Sequence, residues 1–334
     1  MQLFPVRLFR RLLTLACAVA APAAAGSADV IPLYSFNQSP LVQIYGLPAL
    51  GEARVLGRGE ANVSLRLQVA NNFTGPLNPT EQLMLDGETH RLTLMTRQGF
   101  ANGYEWGIEL PYVSHSGGFM DNFIEHWHRW FGLPQGGRPG TPPNLIDYRY
   151  TRDGIDLVRV TQSTAGLGDI RLSGAVQLGN PGERLVALRG SLKFPTGDSD
   201  QLLGSGSTDL AMWLSMAPTP SAEDVWSGYG GGGILMMTEG DVLPQQHRNY
   251  VAFGSVGLAF RIIPSVTLNA QLDAHSPFYR GSEFRQLSAY AIQGLLGGSW
   301  EFSPRKYLEL SVSEDLIVNT SPDFVFNMSL TVPF

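Results

Sequence analysis

The last eleven residues constrain the fold more than any other stretch of the chain. Phe324, Phe326, Met328, Leu330, Val332 and Phe334 alternate with Val325, Asn327, Ser329, Thr331 and Pro333, which are small or polar in all but one case. Successive side chains of a strand point to opposite faces, so one face of this segment suits lipid and the other water. The run also has the ~9–11 residues that a tilted strand needs to cross a bilayer. The fold class expected is all-β, a transmembrane antiparallel barrel.

The same alternation recurs. Val63, Leu65, Leu67 and Val69 oppose Ser64, Arg66 and Gln68; Tyr104, Trp106, Ile108, Leu110 and Tyr112 oppose Glu105, Gly107 and Glu109. Further runs of this kind lie near 170–178, 188–194, 266–275, 290–302 and 308–313, with weaker ones near 88–97, 145–152, 155–161, 207–216, 230–237 and 249–260. With the closing strand the range is 12–14 strands, and fourteen is the best count. That count treats Asp153-Gly154 as a hairpin turn. Short connections at 180–183, 263–265 and 303–306 fall on one side and long ones at 195–207, 238–248, 276–286 and 314–322 on the other, as in outer-membrane barrels. Trp106, Tyr112, Trp300 and Phe302 are placed near the membrane interfaces.

The N-terminal residues fit this setting. Arg7, Arg10 and Arg11 precede the apolar run 12–20 and the small-residue stretch 21–26, the pattern of a signal peptide (1–25) cleaved after Ala25. Cys17 lies inside the apolar run in a poor lipobox context, so cleavage leaves no cysteine. Charged residues make up 16% of the chain, against about 25% in soluble domains. Removing the three arginines leaves 20 basic against 29 acidic residues, a net charge of −9. No basic stripe exists to neutralise phosphates, so nucleic acid is excluded as a partner.

Two regions lack strand character. Residues 26–60 carry prolines that break a ladder, in Asn37-Gln38-Ser39-Pro40 and Tyr45-Gly46-Leu47-Pro48. They are expected to be a periplasmic extension or a segment inserted in the lumen, with the barrel spanning 61–334. From 119 to 131, Phe119, Phe123, Trp127 and Trp130 recur at helical spacing, which predicts an amphipathic loop helix at the outer rim. That helix either braces the barrel or gates it.

Few residues suggest chemistry. His115 beside Ser116 and Ser114 is the one catalytic candidate, a Ser/His pair for lipid hydrolysis, but neighbours on a strand face opposite ways. His126 and His128 are ~200° apart on a helix and cannot share an ion, so no metal and no cofactor is expected. Gly228-Tyr229-Gly230-Gly231-Gly232-Gly233 matches a dinucleotide fingerprint in letters but precedes a strand, which makes it strand packing. The inward-facing charges are Arg66, Arg91, Glu105, Glu109, Arg171, Arg189, Lys193, Asp273, Glu301 and Glu309, with Arg97 beside the early ones. They predict a wet lumen or one closed by cross-lumen ion pairs.

Leu85-Asp86-Gly87-Glu88-Thr89, Glu109-Leu110-Pro111-Tyr112, the run 115–121 and Phe131-Gly132-Leu133-Pro134 together resemble an uncharacterised family of Gram-negative outer-membrane β-barrels, catalogued as a domain of unknown function. The likeness covers nearly the whole mature chain and implies an outer-membrane location. Gly166-Leu167-Gly168-Asp169 and Lys193-Phe194-Pro195-Thr196-Gly197-Asp198 look like strand-end signatures of a broader set of barrels, some described as transporters of aromatic or hydrophobic compounds. Phe334 resembles the terminal aromatic that barrel assembly machinery reads. The expectation is a passive pore for small, in some cases hydrophobic, solutes. A lipid-acting hydrolase at His115 and a structural or adhesive barrel are the alternatives. Partners expected are the lipid bilayer, the assembly machinery and a small solute.

Overall fold

The computed structural model describes residues 30–120, 126, 144–179, 184–221, 223–316 and 320–334. The strands in chain order are β1 (Ala61–Thr74), β2 (Glu81–Ala101), β3 (Tyr104–Ser116), β4 (Asp147–Arg152), β5 (Ile155–Val160), β6 (Thr164–Leu167), β7 (Arg171–Gln177) and β8 (Arg184–Lys193). They continue with β9 (Asp209–Pro218), β10 (Trp226–Met237), β11 (Tyr250–Ile263), β12 (Val266–His275), β13 (Ala291–Ser303), β14 (Lys306–Asp315) and β15 (Phe324–Pro333). Twelve of them, β1–β3 and β7–β15, form a closed antiparallel ring. The seam is β1 against β15, with Ser64 opposite Thr331 and Gln68 opposite Asn327. Inward polar pairs hold it: the Ser64 and Thr331 hydroxyls lie 2.7 Å apart, and Gln68 Nε2 donates to Asn327 Oδ1 at 2.9 Å.

The expected count of fourteen is therefore corrected to twelve. Residues 145–152 and 155–161 do form strands, turned at Asp153-Gly154 with φ of 49° and 77°. However, β4 pairs only with β5 and with Glu81–Asp86, the first residues of β2, just past the point where β3 leaves at Ser116. β2 has 21 residues, about twice what a crossing needs. Its first turn of ladder rises above the ring, and the hairpin β4–β5 hangs on it. Period-2 alternation marks a half-buried strand, and it cannot separate one that crosses from one that builds up the rim. Short β6 pairs with the end of β3 from Tyr112 to His115 and continues the place of β7 beside it.

The faces divide as the alternation predicts. Along β3, Glu105, Glu109 and His115 are buried inside while Tyr104, Trp106, Leu110 and Tyr112 are exposed outside. Exposed aromatics collect near the two ends: Phe100, Tyr104, Trp106, Trp226 and Trp300 toward the short turns, Tyr112, Tyr250 and Tyr290 toward the long loops. Among the described residues the one helix longer than a single position is the turn Arg285–Ser288. Of the expected loop helix, His126 is helical, Phe119 and Met120 are not, and Phe123, Trp127 and Trp130 lie outside the described residues.

The glycine run in β10 has a packing role. A Cβ on Gly231 would meet Leu214 O and Leu50, and one on Gly233 would meet Met212 O and Trp213. Gly228 faces outward with its nearest such neighbour, Leu258 Cδ2, at 3.8 Å. Gly233→Val is accordingly expected to cost about 1–3 kcal/mol or more by overpacking against backbone, and Gly228→Ala to cost little. Heat-modifiable migration in detergent gels checks this: the Gly233 variant should unfold at a lower temperature. Equal midpoints for both would show that the run has no such role.

Candidate functional site: an occupied lumen

Residues 30–56 run inside the barrel, without regular structure apart from a turn at 40–45, and a second turn at 58–59 is exposed at the short-turn rim. Prolines at 32, 40 and 48 remove donors and prevent a ladder, so the segment's backbone must find partners elsewhere. The inward side chains of the wall supply them. The first leg climbs β12 from the short-turn end: Asn269 donates to Ile31 O at 2.7 Å, Gln271 bonds both Leu33 N and Leu33 O at 3.0 and 3.2 Å, and Asn37 Nδ2 donates to His275 Nε2 at 2.9 Å. The second leg descends along β9, β8 and β7. Gly46 N donates to Asp209 at 2.7 Å, Trp213 Nε1 and Ser215 Oγ both donate to Leu50 O, Val55 N donates to Gln177 at 2.9 Å, and Leu56 N donates to Glu105 at 2.8 Å.

At the top of the hairpin the packing is apolar. Leu41, Ile44, Tyr45 and Leu47 share one buried cluster with Leu202, Val242, Leu243, Phe278, Tyr279 and Leu287 of the long loops. Tyr45 stacks on Phe278 at 5.2 Å and on His247 at 5.9 Å between centroids, and the Tyr279 hydroxyl donates to Leu41 O at 2.7 Å. Burial pushes the Tyr45 hydroxyl above its ordinary range, with Asp209 adding to the shift, so it stays a neutral donor. Tyr34, on the first leg, is raised by burial and then by Glu109, while Arg66, Arg171 and Arg91 pull the other way.

Most of the charges read from the sequence as lumenal grip this segment. Arg171 donates to Tyr45 O at 2.9 Å and Leu47 O at 3.2 Å, with Glu109 3.9 Å away. Arg91 holds Gln43 Oε1 at 2.9 Å, and Glu309 accepts the Tyr34 amide at 2.9 Å. Arg189 bonds Glu52 O at 2.8 Å and Glu105 at 2.7 Å; Arg97 bridges Glu105 at 2.8 Å and Glu52 at 2.7 Å. Lys193 is fully buried with Asp169, Asp209 at 3.3 Å and Ser205 Oγ at 2.6 Å, and it donates to Ile44 O. Asp273 accepts Gln271 Nε2 at 2.8 Å. Glu301 sits at the rim, where it accepts the Arg305 amide at 2.9 Å.

Sequence reasoning overlooked Glu52, Asp169 and Asp209. A signal existed for one: the two strand-end motifs meet here, because Asp169 accepts the amides of Thr196 and Gly197 at 3.0 and 2.8 Å while pairing with Lys193.

His115 and Ser116 are adjacent but face opposite ways, with His115 buried inside. Its Nε2 donates to Leu202 O at 3.1 Å, which leaves Nδ1 to accept the Thr89 hydroxyl at 2.9 Å. Both ring nitrogens are thus engaged, and neither meets a serine. Nearby, buried Glu88 accepts the amides of Phe119 and Met120, tethering the start of the long excursion. His126 is exposed, and His128 lies outside the described residues. Phe334 is exposed at the short-turn rim, its amide donating to Ala61 O at 3.1 Å.

Between the two legs, in the short-turn half, lies a chamber of about 910 Å3 of empty volume, its open side included. Tyr34 and Glu52 of the segment border it, with Arg66, Arg97, Arg171, Arg189, Glu109 and Glu309 of the wall and hydroxyls such as Ser329.

No protein of curated function matches the chain. Among solved structures it is similar to an outer-membrane channel from Pseudomonas putida F1, at 12% identity over 85% of this chain and 98% of that one, with a TM-score of 0.56. A KdgM porin (9% identity, 82% and 99% covered, TM-score 0.42) and a NanC porin (9%, 81% and 98%, TM-score 0.44) also match. At these identities the first likeness establishes the barrel fold, and the other two add nothing to the argument. Residues 9–334 match the family described as protein of unknown function (DUF3187), and the chain belongs to that family.

Proposed function

We propose that this protein is a passive outer-membrane channel for small solutes, closed at rest by residues 30–56. The observation that carries the reading is how the segment is held. From below the long-loop mouth to the short-turn end it is gripped by hydrogen bonds and ion pairs from Asn269, Gln271, Arg171, Arg189, Arg97 and Glu105, which water can replace. A lumen left by this segment would be polar and wettable, as a conducting barrel requires. An apolar filling would instead leave a dewetted pore. The apolar cluster is concentrated at the long-loop end, where Tyr45, Phe278 and Leu202 close the mouth. The shared fold with an outer-membrane channel supports the location, and the exposed apolar outer face supports a bilayer as partner. Hydrophobic solutes remain within this reading as one class that the channel would admit. We also propose that Phe334, exposed beside the seam strand, serves as a recognition element for barrel assembly.

Planar-bilayer recording tests the channel. The full chain should show small, infrequent openings, and deletion of residues 30–57 should give steady conductance several-fold larger. Lys193→Ala strands Asp169 and Asp209 without their cation, at a cost of about 3–5 kcal/mol to the segment's seating, and should raise open time. Equal currents from all three proteins would contradict the proposal. For assembly, Phe334→Ser should lower the heat-modifiable form in outer-membrane fractions several-fold. Unchanged levels would remove that role.

A further inference from the structure

Four wall arginines border the chamber, and three have their charge met by the chain itself. Arg97 and Arg189 reach Glu105 at 2.8 and 2.7 Å, and Arg171 donates to two carbonyls with Glu109 at 3.9 Å. Arg66 differs. Among the described residues no carboxylate lies within ion-pair distance of it, and no acceptor takes its N–H groups, including a buried Nε. Its guanidinium carbon sits over the Tyr34 ring, 3.7 Å from the ring centroid. That cation–π contact seats the guanidinium at the chamber wall. Glu309 is the nearest candidate counter-charge by register: Arg66 stands opposite Ser329, which stands opposite Glu309. Two strand spacings, about 10 Å, separate them, and Glu309 is turned to the Tyr34 amide instead. Tyr34 therefore lies between the two groups, with its ring under one and its N–H on the other.

A part-buried guanidinium without an anion is expensive unless something supplies one. We infer that Arg66, seated on Tyr34 and flanked by the Ser329 hydroxyl, is a binding site for a small carboxylate anion within the chamber. The fork geometry matches a carboxylate edge with two parallel N–H···O bonds. The chamber is open on one side, and the hydroxyls of Ser173, Ser191, Ser329 and Thr331 on its wall suit an acid that carries its own hydroxyls. This names a solute class for the channel and rests on that reading only for transport, since binding is measured without current.

The test uses the full-length protein in detergent, with sodium gluconate as probe, sorbitol as its uncharged hydroxylated counterpart and sodium chloride at equal ionic strength. Gluconate should bind saturably by calorimetry and raise the unfolding midpoint, with sorbitol and chloride giving neither effect. Arg66→Gln should weaken gluconate about ten- to a hundredfold, the span of a lost charge-assisted pair, and Arg66→Lys should fall between. Heat-modifiable migration verifies that each variant is folded. If Arg66→Gln is not, Tyr34→Leu, which removes the ring beneath the guanidinium, should weaken binding several-fold. Gluconate no better than chloride, or wild-type affinity in a folded Arg66→Gln protein, would overturn the site. Binding without conductance would retire the channel and leave the site standing, and conductance without gluconate binding would do the reverse.

Discussion

Everything inside this barrel follows from one requirement: about thirty residues of irregular backbone lie where no sheet can pair with them, and their N–H and C=O groups must still be satisfied. The wall meets it with side chains. Asn269 and Gln271 of β12 hold the rising leg by its main chain, and Trp213, Ser215, Arg189 and Gln177 hold the falling leg in the same way. Because these contacts address main-chain atoms, the wall's residue types can be explained without regard to the segment's own sequence. The glycines at 231 and 233 belong to the same arrangement, since they leave the wall thin where Leu50 and Trp213 lie against it.

The charges obey the same logic. Lys193 with Asp169 and Asp209, and Arg97 and Arg189 with Glu105, are ionic groups taken out of water, and they persist only where each has a counter-charge or carbonyl. Both knots also touch the segment, the first through Ile44 and Gly46 at the long-loop end, the second through Glu52 and Leu56 at the short-turn end. Two polar fastenings therefore bracket a largely hydrogen-bonded mid-section. Arg66 is the departure from this rule, and so it is the place where an external ligand has something to add.

The wall was legible in the sequence because its signal is local. Alternation at 63–69, 104–112 or 324–334 reports which face is wet, whatever the neighbours are. The number of strands in the ring was less legible: β4 and β5 alternate like wall strands, and their exclusion depends on where β3 parts from β2 at Ser116, a fact of pairing. The partners of the charged wall residues were not legible. Gln271 meets Leu33 across 238 positions and Arg171 meets Tyr45 across 126, and no local pattern encodes such partners. The prolines of 26–60 spoke against a strand and left open whether the segment stayed in the periplasm or entered the lumen.

Hydrogen–deuterium exchange of the amides in residues 33–56 tests the central claim most directly. Leu33, Tyr34, Gly46, Val55 and Leu56 donate to inward wall side chains, so they should exchange as slowly as amides in the ring strands. In Lys193→Ala protein the protection at Gly46 should fall while that of the β12 and β13 ladders persists. Exchange of these amides at free-chain rates in the wild-type protein would contradict the account, because the segment would then lie outside the lumen.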